Sequence, residues 1–134
     1  MYGLSEKIGV PVADTYKSFT NGSRVYLSCG DSGSTDLPAA SVDAVLTDPP
    51  FFDNVHYSQL ADFFHVWQRH ILGENGTRIA DTTRSDREVQ NANGDEFTDR
   101  LASVWEETHR VLKDDGLLAF TYHHSRSEGW RCVL

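Results

Sequence analysis

Apolar and polar positions change their period several times along this chain, and each change marks an element. Met1 to Gly22 is weakly patterned. Gly3, Gly9, Pro11 and a closing Ser/Thr/Asn cluster predict loop with room for one short strand. Arg24 to Ser28 alternates and predicts a short strand. Val42, Ala44 and Leu46 alternate with Asp43, Val45 and Thr47, which predicts a buried or half-buried strand over Val42 to Thr47. Leu60, Phe63, Phe64, Trp67 and Ile71 then recur at helical spacing. They predict a helix from Tyr57 to Ile71, with Ser58 as N-cap and this aromatic stripe as core. His65 and His70 lie five apart on it, not at metal-pair spacing, and read as surface or capping residues. Leu72 to Asp95 is polar and unpatterned.

The clearest helix is predicted from Glu96 to Leu112, with Phe97, Leu101, Val104, Trp105, Thr108, Val111 and Leu112 on one face. Asp95 is placed to cap it. Acids in the first turn and His109, Arg110 and Lys113 in the last suit the helix dipole. Asp114-Asp115-Gly116 ends it, with Gly116 expected in the left-handed position. Leu117 to Tyr122 is continuously apolar, as in a buried parallel strand. Trp130 to Leu134 reads as the start of another helix. Strand, helix, loop, helix, turn, strand is a crossover unit of a doubly wound α/β fold.

The first of those strands ends in a way that a strand does not require. Asp48 is followed by Pro49 and Pro50, which lack N–H groups and hold an extended φ. Each residue before a proline is also pushed away from helix. A stiff elbow therefore stands past the carboxyl end of a strand, where open α/β sheets bind ligands. It offers a carboxylate, unpartnered carbonyls and the ring of Phe51. An exocyclic amino group on a nucleobase is flat and weakly nucleophilic, because its lone pair is delocalised into the ring. A carboxylate and a carbonyl accepting its two N–H bonds pull it toward tetrahedral geometry and free that lone pair. An aromatic ring beside them can stack on a flipped base.

Asp48-Pro49-Pro50-Phe51 resembles the catalytic Asp-Pro-Pro-Tyr/Phe motif of amino-group DNA methyltransferases, which methylate adenine N6 or cytosine N4. The longer context is more specific. Thr47 to Val55, then Asp62-Phe63-Phe64, Val66-Trp67 and His109 to His124, resembles the adenine-specific DNA methylases that often carry a zinc ribbon. The resemblance runs from about Arg24 to Trp130. It implies a partial, Rossmann-like S-adenosylmethionine-dependent methyltransferase fold with parallel strands and flanking helices. Residues 1–23 form a lead-in and residues 24–134 the catalytic-motif half, interrupted by the polar loop 72–95. It further implies that Asp48 and the Pro49 carbonyl hold the amino group, Pro50 stiffens the elbow and Phe51 stacks on the base. Phe52, Asp53, Asn54 and His123 would line the pocket. Asp53 and Asn54 serve equally well to shape the turn. Asp31, in the loop Cys29 to Ser34, either contacts the cofactor or makes an Asx turn.

The rest of the chain constrains this picture. The cofactor turn of the resembled enzymes, of the type Asp-Pro-Phe-x-Gly-x-Gly, does not occur in these 134 residues. S-adenosylmethionine is therefore expected to bind weakly to the isolated chain. An open sheet edge would then be covered by a complementary methyltransferase segment or a second copy. The net charge of −8 is the wrong sign for gripping phosphates. Arg78, Arg84 and Arg87 in the polar loop are the candidate DNA contacts, with a solvated insertion as the other reading. Cys29 and Cys132 fit no zinc pattern and read as reduced thiols. No signal peptide and no run of about 20 apolar residues is present, so a cytoplasmic protein is expected. Three other functions fit parts of the pattern. They are a degenerate nucleic-acid-binding or scaffold partner, a methyltransferase acting on RNA or protein glutamine, and a metal hydrolase, for which Asp48, Asp53, His123 and His124 are the conceivable ligands although adjacent histidines on extended chain point opposite ways.

Overall fold

In the computed structural model, residues 11–19, 23–73 and 79–133 are described. The fold is mixed α/β, with two small parallel sheets and helices. The first sheet pairs β1 (Val12–Ala13) with β2 (Val25–Tyr26), and helix α1 (Tyr16–Phe19) lies between them in sequence. The expected strand over Arg24 to Ser28 is thus reduced to two residues. Only Val25 and Tyr26 find partners, and Leu27 is left 58% exposed. Tyr16 and Phe19 pack their rings near Tyr26, at 6.4 and 6.5 Å.

The second sheet positions the elbow. β3 (Val42–Thr47) has the predicted limits and runs parallel to β4 (Leu112–Phe120). Between them lie α2 (Tyr57–Gly73) and α3 (Gly94–Val111). Ala44 stands opposite Leu117, and the register continues to Thr47 opposite Phe120. Before that, Val42 stands opposite Leu112, so Lys113 to Gly116 form an irregularity on β4. Gly116 is needed for space and not for a left-handed turn. A Cβ there would lie 2.9 Å from both Leu112 Cδ2 and the Lys113 carbonyl. Leu112 is already extended (φ −65°, ψ 142°), so the helix passes directly into the strand.

The ends of α3 are satisfied from outside it. Its cap is Asn93, not Asp95. Asn93 Oδ1 accepts from the N–H groups of Asp95 at 3.0 Å and Glu96 at 3.3 Å. Asp95 is already inside the first turn, where its charge suits the dipole but its oxygen cannot close the cap. At the other end, the carbonyls of Arg110 and Val111 accept from Ala40 and Ser41 at 3.0 and 2.8 Å. The segment entering β3 is thereby fastened to the helix that covers the sheet. Likewise Ser58 is not the cap of α2. It lies inside the helix, and its carbonyl accepts from the Thr83 hydroxyl at 2.9 Å.

Phe97, Leu101 and Phe52 form the core, at 0, 2 and 3% exposure. Val89, Trp105, Tyr122, Cys132 and Val133 pack around them. The stripe on α2 is not part of it. Leu60, Phe63, Phe64, Trp67 and Ile71 are 61 to 68% exposed, and Leu46 and Leu117 leave the sheet open too. Helical period shows that a face is apolar, not what covers it. α2 is held instead by its polar edge. Asp62 accepts from the Thr83 N–H at 2.7 Å, from the hydroxyls of Thr82 and Thr83, and from Arg84 Nε at 3.0 Å. These bonds, the Thr83 N–H first, hold its carboxyl well below the usual range. Helix α4 (Ser127–Arg131) folds back on the end of β4, where Trp130 Nε1 donates to the His124 carbonyl at 2.9 Å.

Glu107 ties α3 to the segment before β3. Its carboxylate accepts from Arg110 Nε at 2.7 Å, the Thr35 hydroxyl at 2.6 Å and the Thr35 N–H at 2.8 Å. Arg110 above all, then Thr35, holds its pKa down to about 2. A depressed carboxyl adds stability that is full above its unfolded value of about 4.3 and fades as pH falls through the folded one. Glu107→Gln is therefore expected to lower the urea midpoint at pH 7. The gap from the native chain should narrow as pH is lowered from 5 toward 2. A gap independent of pH would show that Glu107 acts by packing alone.

Candidate functional site

β3 delivers Asp48 to the carboxyl end of the second sheet, beside the end of β4. The Thr121 N–H donates to the Thr47 carbonyl at 3.2 Å, and the Thr121 hydroxyl donates to Asp48 Oδ1. Asp48 is exposed, and its Oδ2 has no partner among the described residues. Pro49 is buried, and among the described residues its carbonyl accepts no hydrogen bond. Two acceptors on adjacent residues are thus left unpaired among the described residues.

Beyond the elbow the chain turns sharply, with the Asn54 N–H donating to the Phe51 carbonyl at 3.1 Å. Phe52 has a left-handed φ of 51°, uncommon for a bulky residue. That φ turns its ring inward onto Phe97 at 5.5 Å and His124 at 5.8 Å. Phe52 is core and does not line the pocket. Phe51 packs edge-on against Tyr122 at 5.4 Å and lies outside the cleft lining. Asp53 faces His56 at 3.6 Å and Asn54 closes the turn, so both shape the loop. His123 is exposed and lines no part of the cleft. Its neighbour His124 is buried, since successive residues on extended chain face opposite ways.

The elbow opens on a cleft of about 340 Å³. Asp48, Pro49 and Pro50 form one wall. Leu101, Val104 and Trp105 of α3 form the apolar floor, and Tyr57, Val89 and Gln90 close the rim. Tyr57 and Trp105 are its aromatic rings, a place expected for Phe51. Sequence reasoning took Trp105 for core and passed over Tyr57 as the start of a helix. Val89 carried a usable signal, being the only large apolar residue between Asp81 and Asn93.

Gln90 is the least expected member. Its Nε2 is buried without a hydrogen-bond partner among the described residues. An unpaired buried donor costs about 1–3 kcal/mol. The chain around it is held on both sides. Arg100 Nη1 donates to the Glu88 carbonyl, and Asn91 Nδ2 donates to Glu96 at 2.7 Å.

The arginines of the polar loop are placed apart. Arg84 is tied to Asp62 and fastens the loop to α2. Arg87 lines a groove with Cys29 to Ser32 that adjoins the cleft through Ser32, Glu88 and Val89. Arg78 lies outside the described residues.

Asp31 makes an Asx turn, its Oδ1 accepting from the Gly33 N–H at 2.8 Å. A groove of about 450 Å³ runs along Cys29 to Asp36 and meets the cleft at Ser32. Its acids suit ribose hydroxyls, but Asp36 is already engaged by the Tyr26 hydroxyl. Asp31 is likewise engaged, by the Gly33 N–H, and the glycine-rich cofactor turn is absent from the sequence. The described residues therefore do not fit S-adenosylmethionine as a whole. Among them, no group of three His, Cys, Asp or Glu is placed to hold a metal ion. No helix among them is long and apolar enough to cross a membrane.

Comparison with protein families, curated proteins and solved structures finds no match for this chain.

Proposed function

We propose that this chain is the amino-holding part of a Rossmann-like, S-adenosylmethionine-dependent methyltransferase acting on adenine N6 in DNA. One observation carries the reading. Asp48 Oδ2 and the Pro49 carbonyl have no hydrogen-bond partner among the described residues and stand on a proline-braced corner of a cleft that Tyr57 and Trp105 also line. Two acceptors on one amine draw its hydrogens into bonds and localise the lone pair on nitrogen. Thr121 holds the carboxylate from its other oxygen, which limits its rotation. Tyr57 and Trp105 are the rings available to a flipped base. S-adenosylmethionine supplies an electrophilic methyl group when bound. No step is derived through it, because the residues described do not form its seat.

The reading is tested by transfer of labelled methyl groups to duplex DNA, followed by digestion and separation of nucleosides. N6-methyladenine is the expected product, formed with a complementary methyltransferase segment or a second copy supplied. Its absence under every such condition would overturn the proposal. By itself the chain is expected to bind S-adenosylmethionine more weakly than micromolar in calorimetry. Tight binding would show that the acidic groove is a seat after all.

A second reading, a degenerate nucleic-acid-binding or scaffold partner, is favoured by the missing glycine-rich cofactor turn. It predicts DNA or protein binding with no transfer whatever is added.

A further inference from the structure

Gln90 contributes nothing to the chemistry proposed for Asp48, yet it lies on the rim of the same cleft with a buried donor that bonds to nothing described. Its neighbours are pinned by Arg100 and Glu96, so the side chain cannot drift from the cleft with a loose loop. Its own carboxamide has no bond to break when it turns. Turning Nε2 toward the cleft by rotation about its unbranched chain would break no bond to a described residue. An occupied cleft would supply the missing acceptor.

We infer that Gln90 reads the substrate, donating from Nε2 to an unprotonated ring nitrogen that flanks the amino group held by Asp48. The inference rests on the base-methylation reading and deepens it. Asp48 and Pro49 are acceptors only, so they hold any amine alike. A donor beside them adds the second half of a recognition pattern, because adenine carries N1 and N7 next to its amino nitrogen. Glutamine is suited to this, because its carboxamide offers a neutral donor to an unprotonated ring nitrogen while both amino hydrogens stay with Asp48 and Pro49. An amine flanked only by protonated nitrogens or carbon would leave Nε2 unpaired and bind less well.

The test uses the chain itself and nuclear magnetic resonance of its side-chain carboxamides. There are only three glutamines, Gln59, Gln68 and Gln90, and Gln90→Leu identifies the signal. Adenosine, 1-deazaadenosine and 7-deazaadenosine are titrated in turn. Adenosine is expected to move the Gln90 Nε2–H signals downfield together with the Asp48 backbone amide. One deaza analogue should still move Asp48 while leaving Gln90 in place, which names the nitrogen. Gln90→Leu should weaken adenosine about tenfold, the worth of one hydrogen bond, and leave that analogue unchanged. Gln90→Glu, which puts an acceptor where a donor is needed, should weaken adenosine at least as much. If adenosine moves Asp48 but not Gln90, or the substitutions weaken all three ligands equally, the inference fails and the base reading survives. If no signal in the cleft moves, both fail.

Discussion

Replacing Asp48 with alanine is expected to lower methyl transfer to adenine about 100-fold or more while the chain stays folded. Removing one preorganised partner of a reacting group commonly has an effect of this size, because nothing else in the site adjusts to replace it. The Pro49 carbonyl would remain, but a single acceptor leaves the amine free to rotate and stay flat. Asp48→Asn keeps one acceptor oxygen and loses the charge, so it should fall between. Stability should barely change in either case. Asp48 is exposed, and its one bond to a described residue is from Thr121, itself exposed. Transfer kinetics and a melting curve on the same preparations separate the two effects. Retained transfer in Asp48→Ala would remove the acid from the mechanism.

Phe97→Ala is expected to be the most damaging substitution for the fold, at about 3–5 kcal/mol. Phe97 is fully buried and lies at the centre of the small core, against Phe52 and Leu101. A domain of ordinary stability has about 5–15 kcal/mol in all, so the variant should keep only a remnant of cooperative unfolding. The damage should reach the cleft, since Leu101 belongs to both the core and the cleft floor. Urea titration followed by near-ultraviolet circular dichroism reads the change. Phe63→Ala is the matching control. Phe63 is 67% exposed, and the same change of residue there should stay within about 0.5 kcal/mol. Equal losses at the two positions would show that α2 is buried in solution.

These two phenylalanines also mark the limit of reading the chain without coordinates. Both sit on helices with a clear apolar stripe, and both read as core. One is buried and the other is not, because period reports the chemistry of a face and not its neighbour. The same limit applies around the elbow. Phe51 and Phe52 are consecutive aromatics after the prolines, and both read as pocket residues. The left-handed φ of Phe52 sends its ring into the core, and Phe51 turns to Tyr122. Gln90 gave no sign of itself. It is a polar residue in a polar stretch, and only burial without a partner distinguishes it.

Local chemistry by itself determined the limits of β3, the two long helices to within a few residues, and the stiff corner bearing Asp48. These follow from alternation, helical period and the missing N–H groups of Pro49 and Pro50, all of which act between neighbours in sequence. The cleft was decided by the tertiary structure alone. Its walls come from β3, from the start of α2, from residues near Val89 and from α3, brought together when β4 returns beside β3 and Phe97 closes the core. Contacts between segments so far apart depend on how faces meet, and one-dimensional pattern carries no record of that.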